Sequence, residues 1–251
     1  MAKIQISKNL INYNSAIVYT QFNQMCMIKI NLAKVIARIR AAEAKFDRVP
    51  NSVKLLPVSK TKPVSMLKEA STNWLFEFGE NYLQDAIGKI KALDNTKITW
   101  HFIGHVQSNK AKQVAENFSW IHTVDSLKLA LLLDKFRPET LPPLNVCIQI
   151  NISSEPKKFG CDTKTAMDLA WAIRDLKKLK LRGLMTIPKP ASNFTEQRKP
   201  FGNLKKIFDD LQNQGLDIDT LSMGMSNDLE AAIAEGSTMV RIGTDIFGPR
   251  T

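Results

Sequence analysis

A lysine attacks an aldehyde only when its amine is partly desolvated and partly neutral, and one stretch of this chain could place an amine that way. It reads Leu55-Leu56-Pro57-Val58-Ser59-Lys60-Thr61-Lys62-Pro63. Residues 52–58 make a short aliphatic run with the length and flanks of a buried strand, and Pro63 stands where a helix can begin. Lys60 would then lie at the C-terminal end of that strand, where ligands collect in parallel α/β architectures. Taken alone, a lysine in such a turn is most often a solvated one beside a proline, and only the rest of the chain can change that reading.

Further polar and glycine-bearing clusters follow apolar runs: Gly79-Glu80-Asn81-Tyr82, His101-Phe102-Ile103-Gly104, Met185-Thr186, Met223-Gly224-Met225-Ser226-Asn227 and Arg241-Ile242-Gly243-Thr244. Asn227 and Glu230 have the spacing of a capping box, with Gly236 where a C-terminal cap would fall. That pattern offers backbone N–H groups and the Ser226 hydroxyl after one strand, and Gly243-Thr244 after the next. Barrel proteins commonly hold a phosphate between two such loops. His101 and His105 are four apart, but their surroundings read as a strand ending at Gly104, so they would not share a helix face. With no carboxylate or cysteine nearby, no metal site is expected. His122 reads as structural, and there is no Gly-x-Ser-x-Gly elbow and no Gly-x-x-x-x-Gly-Lys-Ser/Thr loop.

These clusters need elements to carry them. Strands are expected over residues 53–58, 74–78, 99–103, 120–124, 144–152, 181–187, 220–223 and 239–242. Amphipathic helices fall between them: one from Ile28 with Leu32, Val35, Ile36, Ile39 and Phe46 near one face; one capped by Asn81 carrying Leu83, Ala86, Ile87 and Ile90; one capped by Thr163 carrying Met167, Ala170 and Ile173. Another, through Phe201, Leu204, Ile207, Phe208 and Leu211, should stop at Gly215. Eight alternations imply an α/β protein with a single TIM-type (β/α)8 barrel. An open doubly wound sheet is the alternative, disfavoured because no Gly-x-Gly-x-x-Gly follows the first strand.

The chain has 251 residues, 44% apolar and 24% charged, which suits one domain with a sizeable core. No apolar run approaches the roughly 18 to 20 residues of a membrane span. Three widely spaced cysteines suit a reducing compartment, and the protein is placed in the cytoplasm. A net charge of +11 would draw phosphorylated small molecules, while the lack of any nucleic-acid module argues against nucleic acid as partner. Residues 1–27 show no clear period, no secretory core and no arginine. They are treated as an N-terminal extension, or as a start assigned upstream of Met25 or Met27, with the barrel over 28–251.

Taken in order, Leu56-Pro57-Val58-Ser59-Lys60-Thr61-Lys62-Pro63, Phe78-Gly79-Glu80-Asn81-Tyr82, Trp100-His101-Phe102-Ile103-Gly104 with Gln107-Ser108-Asn109-Lys110, Gly183-Leu184-Met185, Leu221-Ser222-Met223-Gly224-Met225-Ser226, and Val240-Arg241-Ile242-Gly243-Thr244 with Ile246-Phe247-Gly248 resemble the pyridoxal phosphate homeostasis proteins. These are single-domain relatives of the barrel half of bacterial alanine racemase, and the resemblance spans about residues 30–250. It implies that Lys60 carries pyridoxal 5'-phosphate as an aldimine and that Ser226, Gly243 and Thr244 hold the phosphate. It further implies that Arg241 faces the pyridine nitrogen, that Asn81 and Met223 line the ring pocket, and that His101 belongs to the cofactor-binding set. An arginine there cannot hand over a proton, so the ring would be a poorer electron sink.

Lys158-Phe159-Gly160 departs from the family's usual Lys-Ser-Gly, which puts a substrate role for that loop in doubt, and the N-terminal extension matches nothing in the family. The chain ends seven residues after Thr244, which leaves no room for the second domain that gives the racemase its other base. The implied function is a non-catalytic carrier in pyridoxal phosphate homeostasis. Its partners would be the cofactor itself, free amino acids and apoenzymes that require the cofactor. A pyridoxal phosphate-dependent amino-acid racemase is the alternative, for which only one base, Lys60, can be named.

Overall fold

A computed structural model describes residues 27–94, 97–153, 155 and 158–249, so the expected extension, up to residue 26, lies outside the described residues. Eight parallel strands form the sheet: β1 (Lys54–Pro57), β2 (Glu77–Glu80), β3 (Thr99–Phe102), β4 (Trp120–Val124), β5 (Leu144–Gln149), β6 (Leu179–Met185), β7 (Thr220–Ser222) and β8 (Met239–Ile242). Their order is β1-β8-β7-β6-β5-β4-β3-β2. The ring closes just beyond β1, where Val58 bridges Gly79 and the Ser59 amide donates to the Gly79 carbonyl at 3.0 Å. This closed ring rules out the open doubly wound sheet.

Helix α1 (residues 27–45) precedes β1, and α2 (Val64–Thr72), α3 (Leu83–Ala92), α4 (Ala111–Asn117), α5 (Leu127–Phe136), α6 (Thr163–Arg174), α7 (Phe194–Asn213), α8 (Leu229–Ala234) and α9 (Thr244–Phe247) follow the strands in turn. A continuous core between strands and helices collects the apolar faces, including Phe201, Leu204, Ile207, Phe208 and Leu211 of α7 as their spacing predicts. Gly215, at φ 98, ends that helix in the left-handed region a glycine adopts without strain. Inside the barrel, small clusters fill the axis: Leu56, Val58, Ile103 and Met239, and separately Trp120, Cys147 and Met185. Among the described residues no helix is long and apolar enough to cross a membrane.

Several boundaries differ from expectation. The run Trp74–Phe78 predicts a strand, but β2 starts at Glu77. Trp74 sits at φ 65 and is 85% exposed, because residues 73–75 turn back onto the end of α2, with the Asn73 and Leu75 amides both bonding the Ala70 carbonyl. Ile36 is 40% exposed rather than on the buried face of α1. Asp162, not Thr163, caps α6 by accepting from the Thr165 amide, since it stands one residue nearer the point where helical dihedrals begin. Asn81 caps no helix: α3 begins after Tyr82 and has no side-chain cap.

Candidate functional site

The C-terminal strand ends converge on a cavity of about 360 Å³, within the range of about 300–1,000 Å³ typical of small-molecule sites. Of the site residues named from sequence, Lys60, Asn81, Ser226, Arg241, Gly243 and Thr244 line it, together with Lys62 and the apolar Val58, Ile103, Ile187 and Met225. Met223 and His101 do not line it; both are buried among the strands. One wall belongs to β1 and β2. Lys60 leaves the end of β1, and Asn81 follows β2 at a close backbone approach: a Cβ on Gly104 would lie 2.1 Å from the Asn81 carbonyl oxygen. A side chain at 104 would therefore displace the Asn81 backbone.

The opposite wall comes from the loops after β7 and β8. Gly224, at φ 97, makes the bend into the first loop, and a Cβ there would be 2.6 Å from that of Ala232. The capping box expected from Asn227 and Glu230 does not form. Asp228 stands at the N-cap of α8, and its carboxylate accepts from the Met225 amide at 2.6 Å, although burial raises its pKa. Glu230 is instead held by Arg38 of α1, whose guanidinium also reaches Asp245 at 2.9 Å and the Ser226 carbonyl at 3.0 Å. One arginine thus ties both loops together. Because α8 has six residues and α9 four, an anion here would depend on loop amides, the Ser226 and Thr244 hydroxyls and nearby cations more than on a helix macrodipole.

Arg241 forms the floor. It is 4% exposed, and burial lowers its pKa to about 10, which leaves it protonated at neutral pH. It donates to the Ser222 hydroxyl at 2.8 Å and to the Thr186 carbonyl at 3.0 Å. Ser222 contacts Nδ1 of His122 at 2.8 Å, and Nε2 of His122 contacts Nδ1 of His101 at 3.0 Å. Guanidinium only donates, so the arrangement that gives the Ser222 hydroxyl hydrogen an acceptor runs one way. Ser222 donates to His122, His122 donates through Nε2 to His101, and the His101 proton sits on Nε2, 3.6 Å from a Glu77 carboxylate oxygen. Both rings are neutral: burial pushes His101 down to about 3, and burial, with His101 and Arg241 nearby, pushes His122 well below its usual range. His101 is therefore joined to the site through Arg241 rather than by lining the cavity.

Nothing in the sequence alone marks Glu80, Lys89, Arg38 and Ser222 as site residues. Glu80 and Ser222 lie inside strand-end motifs, whereas Lys89 and Arg38 look like ordinary solvent-facing cations of amphipathic helices and carry no sequence signal. Yet Lys89 is 3% exposed and bonds the fully buried Glu80 at 2.9 Å. In the loop after β5, Phe159 stacks on His105 at 3.9 Å between ring centroids, and neither residue lines the cavity. Among the described residues no cluster of histidine, cysteine and carboxylate could hold a metal ion. Burial pushes the Cys147 and Cys161 thiols up to about 12, so neither is poised as a nucleophile.

The sequence matches the family described as alanine racemase, N-terminal domain, over residues 30–251. It is 51% identical over 226 residues to the pyridoxal phosphate homeostasis protein of Pseudomonas aeruginosa, covering 90% of this chain and 97% of that one. Among solved structures, PipY of Synechococcus elongatus with pyridoxal phosphate bound superposes with a TM-score of 0.77 at 35% identity, covering 88% of this chain and all of that one. Alanine racemase of Clostridium difficile shares the fold at 17% identity, TM-score 0.66, with 56% of its chain covered. By the extent of these matches the chain belongs to the alanine racemase N-terminal domain family and, within it, to the pyridoxal phosphate homeostasis proteins.

Proposed function

We propose that this protein binds pyridoxal 5'-phosphate in the cavity at the C-terminal end of the barrel and serves as a carrier of the cofactor in its homeostasis. The observation that carries this reading is the meeting of Lys60, Arg241, Ser226, Gly243 and Thr244 around one cavity. They come from the ends of β1, β7 and β8, which adjoin one another in the sheet. The residues fit the group. An amine stands on one wall for the aldehyde, loop amides and hydroxyls on the other for the phosphate, and a buried cation lies on the floor. The Pseudomonas relative is named for this homeostasis, and PipY has been solved with the cofactor bound.

Lys60 is the residue that would hold the cofactor covalently, since its amine is placed to condense with the aldehyde, with loss of one water, in a bond that borohydride would reduce. When bound, the cofactor supplies an electron sink for amino-acid chemistry. The groups around it are arranged to hold it rather than to exploit that sink. Arg241 donates hydrogen bonds and keeps its proton, which leaves the floor without an acid that could protonate a ring nitrogen. Borohydride should therefore fix label onto one peptide, that containing Lys60, and Lys60→Ala should lose the fixed label while retaining weak reversible binding. Protein that takes up no cofactor on incubation would sink the assignment.

The racemase reading makes a different prediction. Incubated with L-alanine in deuterated water, a carrier should show negligible α-deuteration and no D-isomer. Exchange or racemisation at about one turnover per second or faster would reject the carrier reading and establish an enzyme.

A further inference from the structure

Lys60 lies in a four-residue turn closed by the Lys62 amide donating to the Ser59 carbonyl at 3.0 Å. Thr61, the third residue of that turn, sits at φ 64. Turns with a positive φ at this position normally carry glycine or asparagine, and a β-branched side chain there is strained. The turn would relax, and carry Lys60 with it, unless its neighbours held it.

The neighbours do so through buried charge. Ser59 is fully buried, and each of its polar groups is engaged. Its amide donates to the Gly79 carbonyl at 3.0 Å, its hydroxyl donates to Oε1 of Glu80 at 2.6 Å, and its carbonyl accepts a second bond, from the ammonium of Lys89 at 2.9 Å. Lys89 reaches in from α3. Its other contacts are Oε1 of Glu80 at 2.9 Å and Asp85 at 2.8 Å. The three donors of the ammonium thus meet three oxygens. The carbonyl that closes the turn is the one Lys89 grips, and the carboxylate that receives Lys89 also receives the turn's serine. Glu80 immediately precedes Asn81, which lines the cavity.

We propose that Lys89 and Glu80 are positioning residues: together they clamp the Ser59–Lys62 turn in its strained form and so fix the Lys60 amine at the cavity wall. The second half of this rests on the reading of Lys60 as the cofactor-bearing residue. The first half does not. A purely structural ion pair would stabilise α3 against the barrel without being coupled to the dihedral of Thr61. A clamp is coupled to it, and relieving the strain should make the clamp dispensable.

The test uses Lys89→Met, Glu80→Gln and Thr61→Gly, alone and combined, with two readouts. Hydrogen exchange of the Lys62 amide in protein without cofactor reports the turn itself. In Lys89→Met it should quicken by about tenfold or more while amides of the distant β5 and β6 keep their protection. Trapping of pyridoxal phosphate on the Lys60 peptide by borohydride reports the amine. Its rate should fall by about tenfold, while affinity for pyridoxine 5'-phosphate, which lacks the aldehyde, stays within about twofold because the β7 and β8 loops are untouched. Adding Thr61→Gly to Lys89→Met should restore both readouts, and Glu80→Gln should show a weaker form of the same pattern.

Unchanged exchange at Lys62 in Lys89→Met overturns the clamp. Quickened exchange with undiminished trapping overturns the link to Lys60, as does failure of Thr61→Gly to rescue. If Lys89→Met loses protection throughout the barrel, Glu80→Gln and Ser59→Ala, which remove single bonds of the same cluster, decide by the same criteria. Absence of label on Lys60 in the unaltered protein, with Lys62 exchange responding as expected, refutes the cofactor reading while the clamp itself stands.

Discussion

The two walls of the cavity are held in different ways. The β1–β2 wall carries the Lys60 side chain on a strained turn, and buried side chains hold that turn: Ser59, Glu80 and Lys89, drawn from two strand ends and a helix. The β7–β8 wall offers loop amides and hydroxyls. Its shape comes from backbone conformation, with Gly224 in the left-handed region and Gly243 so near Val58 that an added Cβ would lie 3.1 Å from the Val58 carbonyl oxygen, and from one half-exposed arginine across its outer side. A wall that must aim one atom needs convergent side chains, because a turn alone leaves a lysine its rotamers. A wall that must wrap an anion needs close backbone approach, which glycine permits. Both rest on the same floor, Arg241.

Acid should remove that floor from under both walls together. His101 and His122 have pKa values lowered in the folded protein below the unfolded value of about 6.5, so they contribute stability that is full above pH 6.5 and is lost as pH falls. Between pH 7 and pH 5 His101 should cost about 2 kcal/mol of folding stability, since the unfolded chain takes up the proton and the native one does not, and His122 adds a loss of the same sign. Denaturant midpoints across this range check the size. Ring-nitrogen NMR should find both histidines neutral and protonated on Nε2 at pH 6. A flat stability profile, or a protonated ring at that pH, would show that the chain from Arg241 to Glu77 is not ordered as described.

Gly224→Ala should separate the walls. The added methyl meets Ala232 at a φ that alanine tolerates poorly, for a loss of about 1–3 kcal/mol in stability and a matching loss in affinity for pyridoxine 5'-phosphate. Exchange at the Lys62 amide should not move. If it quickens as much as phosphate-ester binding weakens, the two walls are one mechanical unit.

Arg38→Ala sharpens the same point at smaller amplitude. Its partners Glu230 and Asp245 are partly exposed, so the stability change should stay within about 1 kcal/mol and shrink with added salt. Affinity for phosphate esters should fall modestly, because Ser226 and Asp245 lose their common tether. The smallest effect is expected from a chain that begins at Met27: it should fold and take up cofactor as the full chain does, because the helical pattern starts at Ile28 and both walls lie beyond it. Loss of solubility or of cofactor uptake on this truncation would give residues 1–26 a part in the barrel.

Much of this was legible in the residues alone, for local reasons. An apolar run of strand length ending at a polar or glycine-bearing cluster repeats along the chain because each strand is buried on both sides and must then turn. Counting such runs leads to eight strands and a barrel. Lys60 and the loops of Ser226 and Gly243-Thr244 could be placed together because strand ends converge wherever parallel strands close into a ring, whereas Asn81 and Arg241 were named through the resemblance to a known family. Trp74 and Thr163 show the limit of local reading: an aromatic run resembles a strand until a helix exit claims it, and either of two adjacent residues can cap until the first helical dihedral is known.

What tertiary structure alone decided is which charges found partners. Lys89 and Arg38 sit on helices whose sequences predict nothing but solvent for them, and Ile36 sits where the same periodicity predicts burial. Helical periodicity fixes the angle at which a residue leaves the helix axis. It does not say whether a carboxylate from a strand end waits at that angle. Glu80 waits for Lys89, and Glu230 and Asp245 for Arg38. His101 and His122, likewise, became parts of one chain only when closure of the barrel brought β3, β4, β7 and β8 around a common axis.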